Sequence, residues 1–188
     1  MPKLPLIHAT RVLHPDARFP IEQVDLEFSN GVRRTYERQA ARGRGAVAIV
    51  AMRDPDTFLL VREYVCGLHA YELGLPKGRV ERGEDILEAA NRELKEEVGV
   101  GAHRLTLIKR LSLAPTYMSH RTDIVLAEDL YDERLEGDEP EELEVVPWPV
   151  ADLDALLMRE DVTEGRSIAA LFTARAYLKA RAEGRNWT

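Results

Sequence analysis

The chain has 188 residues, of which 45% are hydrophobic and 31% are charged, and this balance is typical of a globular domain with one sizeable core. The net charge of −7 opposes binding to nucleic acid, and no apolar run reaches the roughly 18 residues that a membrane span needs. We therefore expect no nucleic-acid or membrane partner and, since the first residues carry no secretory signal, a cytoplasmic protein.

The amino-terminal part of the sequence predicts a small β element. The segments QVDLEF and VRRTYER alternate in polarity, and the Asn30-Gly31 pair between them is typical of a tight hairpin turn. A small, basic, glycine-containing stretch follows and leads into an apolar run. We therefore predict residues 1–45 as an amino-terminal β-hairpin element and residues 46–188 as the main domain.

Short apolar segments in the main domain predict the strands of a larger sheet. AVAIVAM and TFLLVREY flank the turn RDPD as a second hairpin, and RLTLIKRLSL and TDIVLAEDL predict two further strands. The acidic segment LEGDEPEELEVVPWP leads into a short strand. Helical spacing then appears in VADLDALLMRE and GRSIAALFTARAYLKARAEG, the second with Asp161 or Thr163 as its cap. The pattern indicates a mixed α and β protein in which Cys66, the single cysteine, is a small core residue.

An acidic helix is predicted from Asp85 to Val98, because this segment lacks proline and glycine and is followed by Gly99 at the position of a C-terminal cap. Its apolar residues form one stripe along the helix, made of Ile86, Leu87, Ala90, Leu94 and Val98. At about 100° per residue, a second stripe made of Glu93, Glu96 and Glu97 lies beside it, at the border of the core.

Three carboxylates on one edge destabilise the helix by roughly a few tenths of a kcal/mol per pair, so a cation should compensate them. Mg²⁺ binds through carboxylates, waters and substrate phosphates, and we interpret the helix as a magnesium platform for a phosphate substrate. The alternative is a solvated charged face balanced by Arg92 and Lys95.

The spacing around this helix resembles the Nudix box, G-x5-E-x7-R-E-U-x-E-E-x-G-U, in which U is aliphatic. Every fixed position is matched, from Gly78 through Glu84 and Arg92 to Val100. With average residue usage, a chance match at a given start is on the order of 10⁻⁸. The resemblance extends beyond the box to the segments VDLEFSNGVRRTYER, REYVCGLHAYELG and DLYDERLEGDEPE, and it covers nearly the whole chain. It implies an α+β Nudix fold, an α/β/α sandwich with a mixed sheet, preceded by a small amino-terminal β element.

The resemblance implies hydrolysis of the diphosphate linkage in ADP-containing compounds, with Mg²⁺ as cofactor and Mn²⁺ as a possible substitute. ADP-ribose, NADH and diadenosine polyphosphates such as Ap3A are the implied substrates, and AMP and a phosphorylated product are released. Two alternatives remain. One is a sugar-nucleotide diphosphatase acting on GDP-mannose-like compounds, and the other is a non-catalytic ADP-ribose sensor, which is disfavoured because all box glutamates are present.

The resemblance also implies roles for individual residues around the metal. Glu93 and Glu97 are expected to coordinate it, with Glu96 and the backbone carbonyl oxygen of Lys77 as further ligands. Glu84 either orients these groups or binds another metal ion.

Two further groups complete the implied catalytic set. Arg92 is expected to orient the glutamates through charge-assisted hydrogen bonds. The general base is expected on the acidic loop downstream of the box, with Glu139 as the first choice and Glu141 as the second.

Substrate contacts are predicted in three places. Pro115 lies fifteen residues beyond Val100 and resembles a marker of ADP-ribose hydrolases, while Tyr117 resembles a marker of diadenosine polyphosphate hydrolases. The resemblance implies a homodimer, in which the amino-terminal element reaches the partner's active site. The remaining candidates for the nucleotide pocket are Arg33, Arg34, Arg38, Tyr36 and Arg62.

Overall fold

The computed structural model describes residues 3–40 and 43–187. The chain divides into two compact units, of which the first comprises Met1–Arg42 with Ser112–Arg121 and the second comprises Gly43–Leu111 with Thr122–Thr188. The strands are β1 Leu6–Leu13, β2 Ile21–Glu27, β3 Arg33–Gln39, β4 Ala46–Asp54, β5 Thr57–Val65, β6 Ala70–Gly74, β7 Lys77–Arg79, β8 Val100–Ser112, β9 Arg121–Asp132 and β10 Glu144–Pro149. The helices are α1 Ile86–Glu97, α2 Leu153–Leu157 and α3 Gly165–Ala182.

The first unit is built on a three-stranded antiparallel sheet in the order β1-β2-β3. The predicted hairpin is confirmed as β2 and β3: Gly31 has a positive φ of 80°, and the side chain of Asn30 accepts a hydrogen bond from the Val32 N–H at 3.1 Å. Strand β1 was not predicted. It lacks clear alternation because most of its side chains are exposed, and its pairing is irregular between Ile7 and Ala9.

The second unit is organised around a seven-stranded mixed sheet. Its main path is β10-β5-β4-β9-β8, with β6 paired to β5 and β7 paired to β4. Strand β4 runs antiparallel to β5 and β7 but parallel to β9, which confirms the predicted mixed sheet. The short strands β6 and β7 were not among the predicted strands.

Helices cover both faces of this sheet. Successive residues of β4 point to opposite faces, so Val47 and Ile49 pack with Leu94 of α1, whereas Ala48 and Val50 belong to the core under α2 and α3. The β4 residues from Ala46 to Met52 are all apolar and buried, as expected for a central strand covered on each side. The α/β/α sandwich is therefore confirmed.

Two local predictions are wrong. Cys66 is exposed, because it lies in the turn between β5 and β6 rather than in a strand. The cap of α3 is Glu164, whose side chain accepts the Ser167 N–H at 2.8 Å, and not Asp161 or Thr163. No helix among the described residues is both long enough and apolar enough to span a membrane.

Candidate active site

Helix α1 is fixed at its start by a reciprocal capping box. The side chain of Asp85 accepts the Leu87 N–H at 2.9 Å, and the side chain of Glu88 accepts the Asp85 N–H at 3.0 Å. The predicted helix is confirmed, and Gly99 just beyond it has a positive φ of 83°. Burial of its apolar face, centred on Leu94, then fixes the rotation of the helix about its axis.

This rotation brings Glu93 against strand β7. A Cβ atom built on Gly78 would lie 2.0 Å from the carboxyl carbon of Glu93, so glycine leaves the space that the carboxylate fills. Glu93 is only 9% exposed. Burial raises the pKa of its carboxyl group, and the neighbouring Arg92 partly opposes that shift.

Glu97 lies one turn further along the same face and is 8% exposed. Its carboxylate accepts the backbone N–H of Lys77 at 3.0 Å. Burial raises the pKa of Glu97 to about 8, against the opposing effect of the Lys77 charge and N–H group. Two carboxylates that are costly to ionise thus lie beside one strand, where a cation would stabilise both.

Arg92 forms hydrogen bonds with three carboxylates at once. Its guanidinium donates to Glu84 at 2.9 and 3.2 Å, to Glu93 at 2.9 Å and to Glu96 at 2.9 Å. A further hydrogen bond reaches the Arg79 carbonyl oxygen at 3.0 Å. These contacts raise the pKa of Arg92, with the hydrogen bond to Glu84 as the largest cause, and the guanidinium stays charged.

The donor set fits a hard divalent cation. The expected ligands are carboxylate oxygens and the carbonyl oxygen of Lys77, and two of the carboxylates, Glu93 and Glu97, are buried, so a metal ion would relieve both repulsion and desolvation. Gly78 leaves the space that the Glu93 carboxylate fills. In the arrangement that the described residues adopt, the guanidinium of Arg92 supplies the charge that compensates Glu84, Glu93 and Glu96. Among these residues, no three acidic, histidine or cysteine side chains converge as metal ligands.

The acidic loop, residues 133–143, faces the exposed edge of α1. It lines a cleft of about 390 Å³ together with Glu96 and Glu97. Burial, reinforced by the charges of Glu63 and Asp138, raises the pKa of Glu139 in this loop. Glu141 instead accepts a hydrogen bond from the hydroxyl of Tyr71 at 2.5 Å.

Sequence reasoning missed an ion pair beside this cleft. The ammonium group of Lys77, a residue predicted to act through its backbone alone, contacts the carboxylate of Glu63. Glu63 raises the pKa of both Glu97 and Glu139, and Lys77 lowers both. The sequence contained a partial signal for the position of Glu63. Leu59, Val61 and Glu63 occupy every second position of β5 and so lie on one face, and the first two pack on the α1 side.

Arg62, a predicted substrate contact, belongs to a different cluster. Its guanidinium donates to Glu144 at 2.8 Å and to Asp161 at 2.7 Å. Arg159 also binds Asp161, and together the two arginines hold the pKa of that carboxyl group well below its usual range. Neither partner of Arg62 is among the carboxylates that Arg92 binds.

The remaining predicted substrate contacts lie in the first unit. Arg33 donates to Glu27 and Arg38 donates to Glu22, both at 2.8 Å. The guanidinium of Arg34 donates to the carbonyl oxygen of Arg33 at 2.8 Å. The side chains of Tyr36, Pro115 and Tyr117 are exposed, and the backbone of Tyr117 accepts the Gln39 N–H at 2.7 Å.

Family comparisons identify the class to which this fold and site belong. Residues 42–172 match the NUDIX domain, and residues 5–38 match the NudE-type Nudix hydrolase N-terminal domain. The chain therefore belongs to the Nudix hydrolase family, whose members generally use a divalent metal.

Comparison with individual proteins shows which members of that family the chain resembles. The chain is 55% identical to the ADP compounds hydrolase NudE of Escherichia coli (strain K12) over 163 residues, which cover 87% of each chain. It is 30% identical to an ADP-ribose pyrophosphatase of Bacillus subtilis (strain 168) over 149 residues, 78% of this chain and 80% of that one. A crystal structure of an ADP compounds hydrolase superposes with a TM-score of 0.86 at 49% identity, covering 99% of both chains.

Proposed function

We propose that this protein hydrolyses the diphosphate linkage of ADP-containing compounds, with ADP-ribose, NADH and Ap3A as substrates and AMP as one product. The observation that carries the proposal is the pair of buried carboxylates, Glu93 and Glu97, against Gly78 and Lys77 beside an acidic cleft. The names of the similar proteins, an ADP compounds hydrolase and an ADP-ribose pyrophosphatase, support the choice of substrate class.

In this proposal the metal is Mg²⁺, with Mn²⁺ as a substitute, held by Glu93, Glu96, Glu97 and the carbonyl oxygen of Lys77. When bound, the ion neutralises phosphate oxygens and lowers the pKa of bound water. Glu84 holds Arg92, since it accepts two hydrogen bonds from that guanidinium. Arg92 in turn keeps the glutamates of α1 at fixed positions along one edge.

Glu139 acts as the general base, accepting a proton from the attacking water. Its raised pKa moves it towards the operating pH, as general-base catalysis favours. Glu141 is the weaker candidate, because its carboxylate already accepts the hydrogen bond from Tyr71. Hydrolysis at the diphosphate then releases AMP and the phosphate of the second group.

The protein is proposed to act in the cytoplasm as a homodimer in which the amino-terminal sheet contributes to the partner's site. Exposed apolar side chains on β1, at Leu6, Ile7 and Val12, support an interface on that sheet. Arg33, Arg34, Arg38 and Tyr36 would then contact the nucleotide, with Pro115 and Tyr117 from the neighbouring loop. Arg62 is the least supported contact, since two carboxylates already bind its guanidinium.

The experiment that tests this function is incubation with Mg²⁺ and, separately, ADP-ribose, NADH, Ap3A and GDP-mannose, followed by measurement of AMP or GMP release. Release of AMP from the ADP compounds, and its loss with EDTA, is the expected result. GMP release from GDP-mannose alone would favour the sugar-nucleotide diphosphatase. Tight binding of ADP-ribose without any product would favour the sensor.

A further inference from the structure

We propose that Tyr71 is a positioning residue that holds the acidic loop against the active site through Glu141. We call the hydrogen bond between Tyr71 and Glu141 the latch. Its effect on catalysis rests on the proposed function, whereas the hydrogen bond itself does not depend on that function. The loop is residues 133–143, and Glu141 lies two residues after the proposed base, Glu139.

The first end of the loop is tied to helix α1 by backbone hydrogen bonds. The Glu133 N–H donates to the Gly99 carbonyl oxygen, and the Leu135 N–H donates to the Lys95 carbonyl oxygen, both at 3.2 Å. An ion pair of 2.8 Å between Lys95 and Glu133 reinforces this attachment. The backbone is therefore held as far as Leu135 without help from side chains of the second half, and residues 136 and 137 lie beyond these attachments.

The second half of the loop ends at Leu143, which is buried in the core on the α1 side, and two residues before it a side-chain hydrogen bond adds a second attachment. The hydroxyl of Tyr71, on strand β6, donates to the carboxylate of Glu141 at 2.5 Å. Hydrogen bonds from a hydroxyl to a carboxylate are among the stronger ones in proteins. The 3.5 Å ion pair of Glu142 with Arg134 joins two loop residues that are largely exposed, and such pairs contribute little.

The ring of Tyr71 packs against a neighbouring residue of its own hairpin. Its cross-strand partner on β5 is Tyr64, and the two rings pack edge to face with centroids 5.8 Å apart. The hydroxyl of Tyr64 is itself engaged with Nδ1 of His69 at 2.8 Å. Both rings are partly exposed, at 41% for Tyr64 and 50% for Tyr71, and their packing against each other restricts the rotamers of Tyr71 on the β5–β6 hairpin.

The anchored residue, Glu141, is joined to Glu139 by a stiff stretch of backbone. Pro140 separates Glu139 from Glu141, and its ring fixes its own φ and favours an extended conformation of the residue before it. Anchoring Glu141 therefore limits the positions that Glu139 can reach. The latch thus favours an orientation in which the Glu139 carboxylate stays near Glu63 and Lys77, whose charges it senses.

The test compares Tyr71→Phe and Glu141→Ala, singly and combined, with two matched controls. Tyr64→Phe removes the neighbouring hydroxyl on the same hairpin, and Glu142→Gln neutralises the adjacent loop carboxylate. The first readout needs neither metal nor substrate: it is the rate at which a glutamate-specific endopeptidase cuts the Glu136–Gly137 bond, which none of these substitutions alters.

Both latch variants should be cut about three- to tenfold faster than the wild type, and the double variant no faster than either single one. The controls should match the wild type. An unchanged rate in Tyr71→Phe, or additive effects in the double variant, would overturn the latch. Faster cutting at every site, together with a lower midpoint of thermal unfolding, would assign Tyr71 a general structural role and would also overturn it.

The second readout is steady-state kinetics on ADP-ribose with saturating Mg²⁺. Tyr71→Phe should lower kcat by about tenfold with KM changed less than about twofold, because misplacing a base affects the chemical step. A rise in KM at unchanged kcat would overturn the positioning role. A wild-type protein without hydrolase activity would refute the proposed function, and the endopeptidase comparison would still decide the latch.

Discussion

The carboxylate of Glu93 occupies the space that a side chain on Gly78 would need, since a Cβ atom at position 78 would lie 2.0 Å from its carboxyl carbon. This relationship joins strand β7 to helix α1 at the buried end of the candidate metal site. It gives the first glycine of the sequence motif a physical reason, which is close approach of the Glu93 carboxylate rather than backbone conformation, because Gly78 does not have a positive φ.

Replacing Gly78 by alanine should therefore displace the Glu93 carboxylate while leaving the fold intact. The side-chain end of Glu93 can move, so we expect the free energy of unfolding to fall by only about 1–3 kcal/mol. Mg²⁺ affinity and kcat should each fall about 10- to 100-fold, as is typical when a metal ligand or its support is disturbed. Urea denaturation, isothermal titration with Mg²⁺ and steady-state kinetics would measure the three effects.

Gly67→Ala is the matched control, because a Cβ atom at that turn glycine meets nothing within 4 Å and its φ is not positive. It should leave metal affinity and turnover unchanged. Normal turnover in Gly78→Ala would contradict the place of Glu93 in the site.

Arg92 is predicted to be irreplaceable by lysine. The planar guanidinium binds the carboxylates of Glu84, Glu93 and Glu96 at once, and an ammonium group on a flexible chain does not reproduce that fork. Arg92→Lys should lower kcat about 10- to 100-fold and the free energy of unfolding of the metal-free protein by about 1–3 kcal/mol. Arg175→Lys, at an exposed pair with Asp154, should change neither quantity. Wild-type kinetics in Arg92→Lys would reject the orienting role.

The cap of α3 offers a test of stability alone. Glu164 accepts hydrogen bonds from the N–H and the hydroxyl of Ser167, both at 2.8 Å, so Glu164→Ala leaves two donors without this partner. The free energy of unfolding should fall by about 1 kcal/mol, with unchanged kcat. Glu160→Ala, at an exposed position before the helix, should be neutral. Equal urea midpoints for the two variants would exclude a capping role.

Local sequence patterns were enough to predict those elements in which buried positions, turn residues or caps leave a recognisable order of residue types. The buried run of β4, the Asn30-Gly31 turn and the capped helix α1 all appear where the sequence placed them. Strand β1 escaped prediction because its exposed side chains leave no alternation to detect. Cys66 was misplaced for a related reason: residue type indicates burial on average, whereas a turn exposes whatever it contains.

The same distinction applies to the candidate site: residues on one helix could be predicted, and contacts between distant segments could not. Spacing on one helix brings Glu93 and Glu97 to one face, and the resemblance gave Arg92 its orienting role. The contact of Tyr71 with Glu141 joins residues 70 positions apart, and the pair of Glu63 with Lys77 joins β5 to β7, two strands that are not paired with each other. Such contacts are set by tertiary packing: alternation along β5 places Glu63 on the side of the sheet that faces α1, but it does not specify Lys77 as its partner.

Neutralising Glu63 should shift the acid limb of the pH–rate profile to lower pH. The pKa of Glu139 is raised by burial first and by the charge of Glu63 next, and the base works only when deprotonated. Glu63→Gln removes that charge and frees the Lys77 ammonium, which itself lowers the pKa of Glu139, so both effects act in the same direction. The profile of kcat at saturating Mg²⁺ measures the shift. Glu142→Gln in the same loop, which is not among the causes of the raised pKa, should leave the limb in place, and a shift to higher pH in Glu63→Gln would contradict Glu139 as the base.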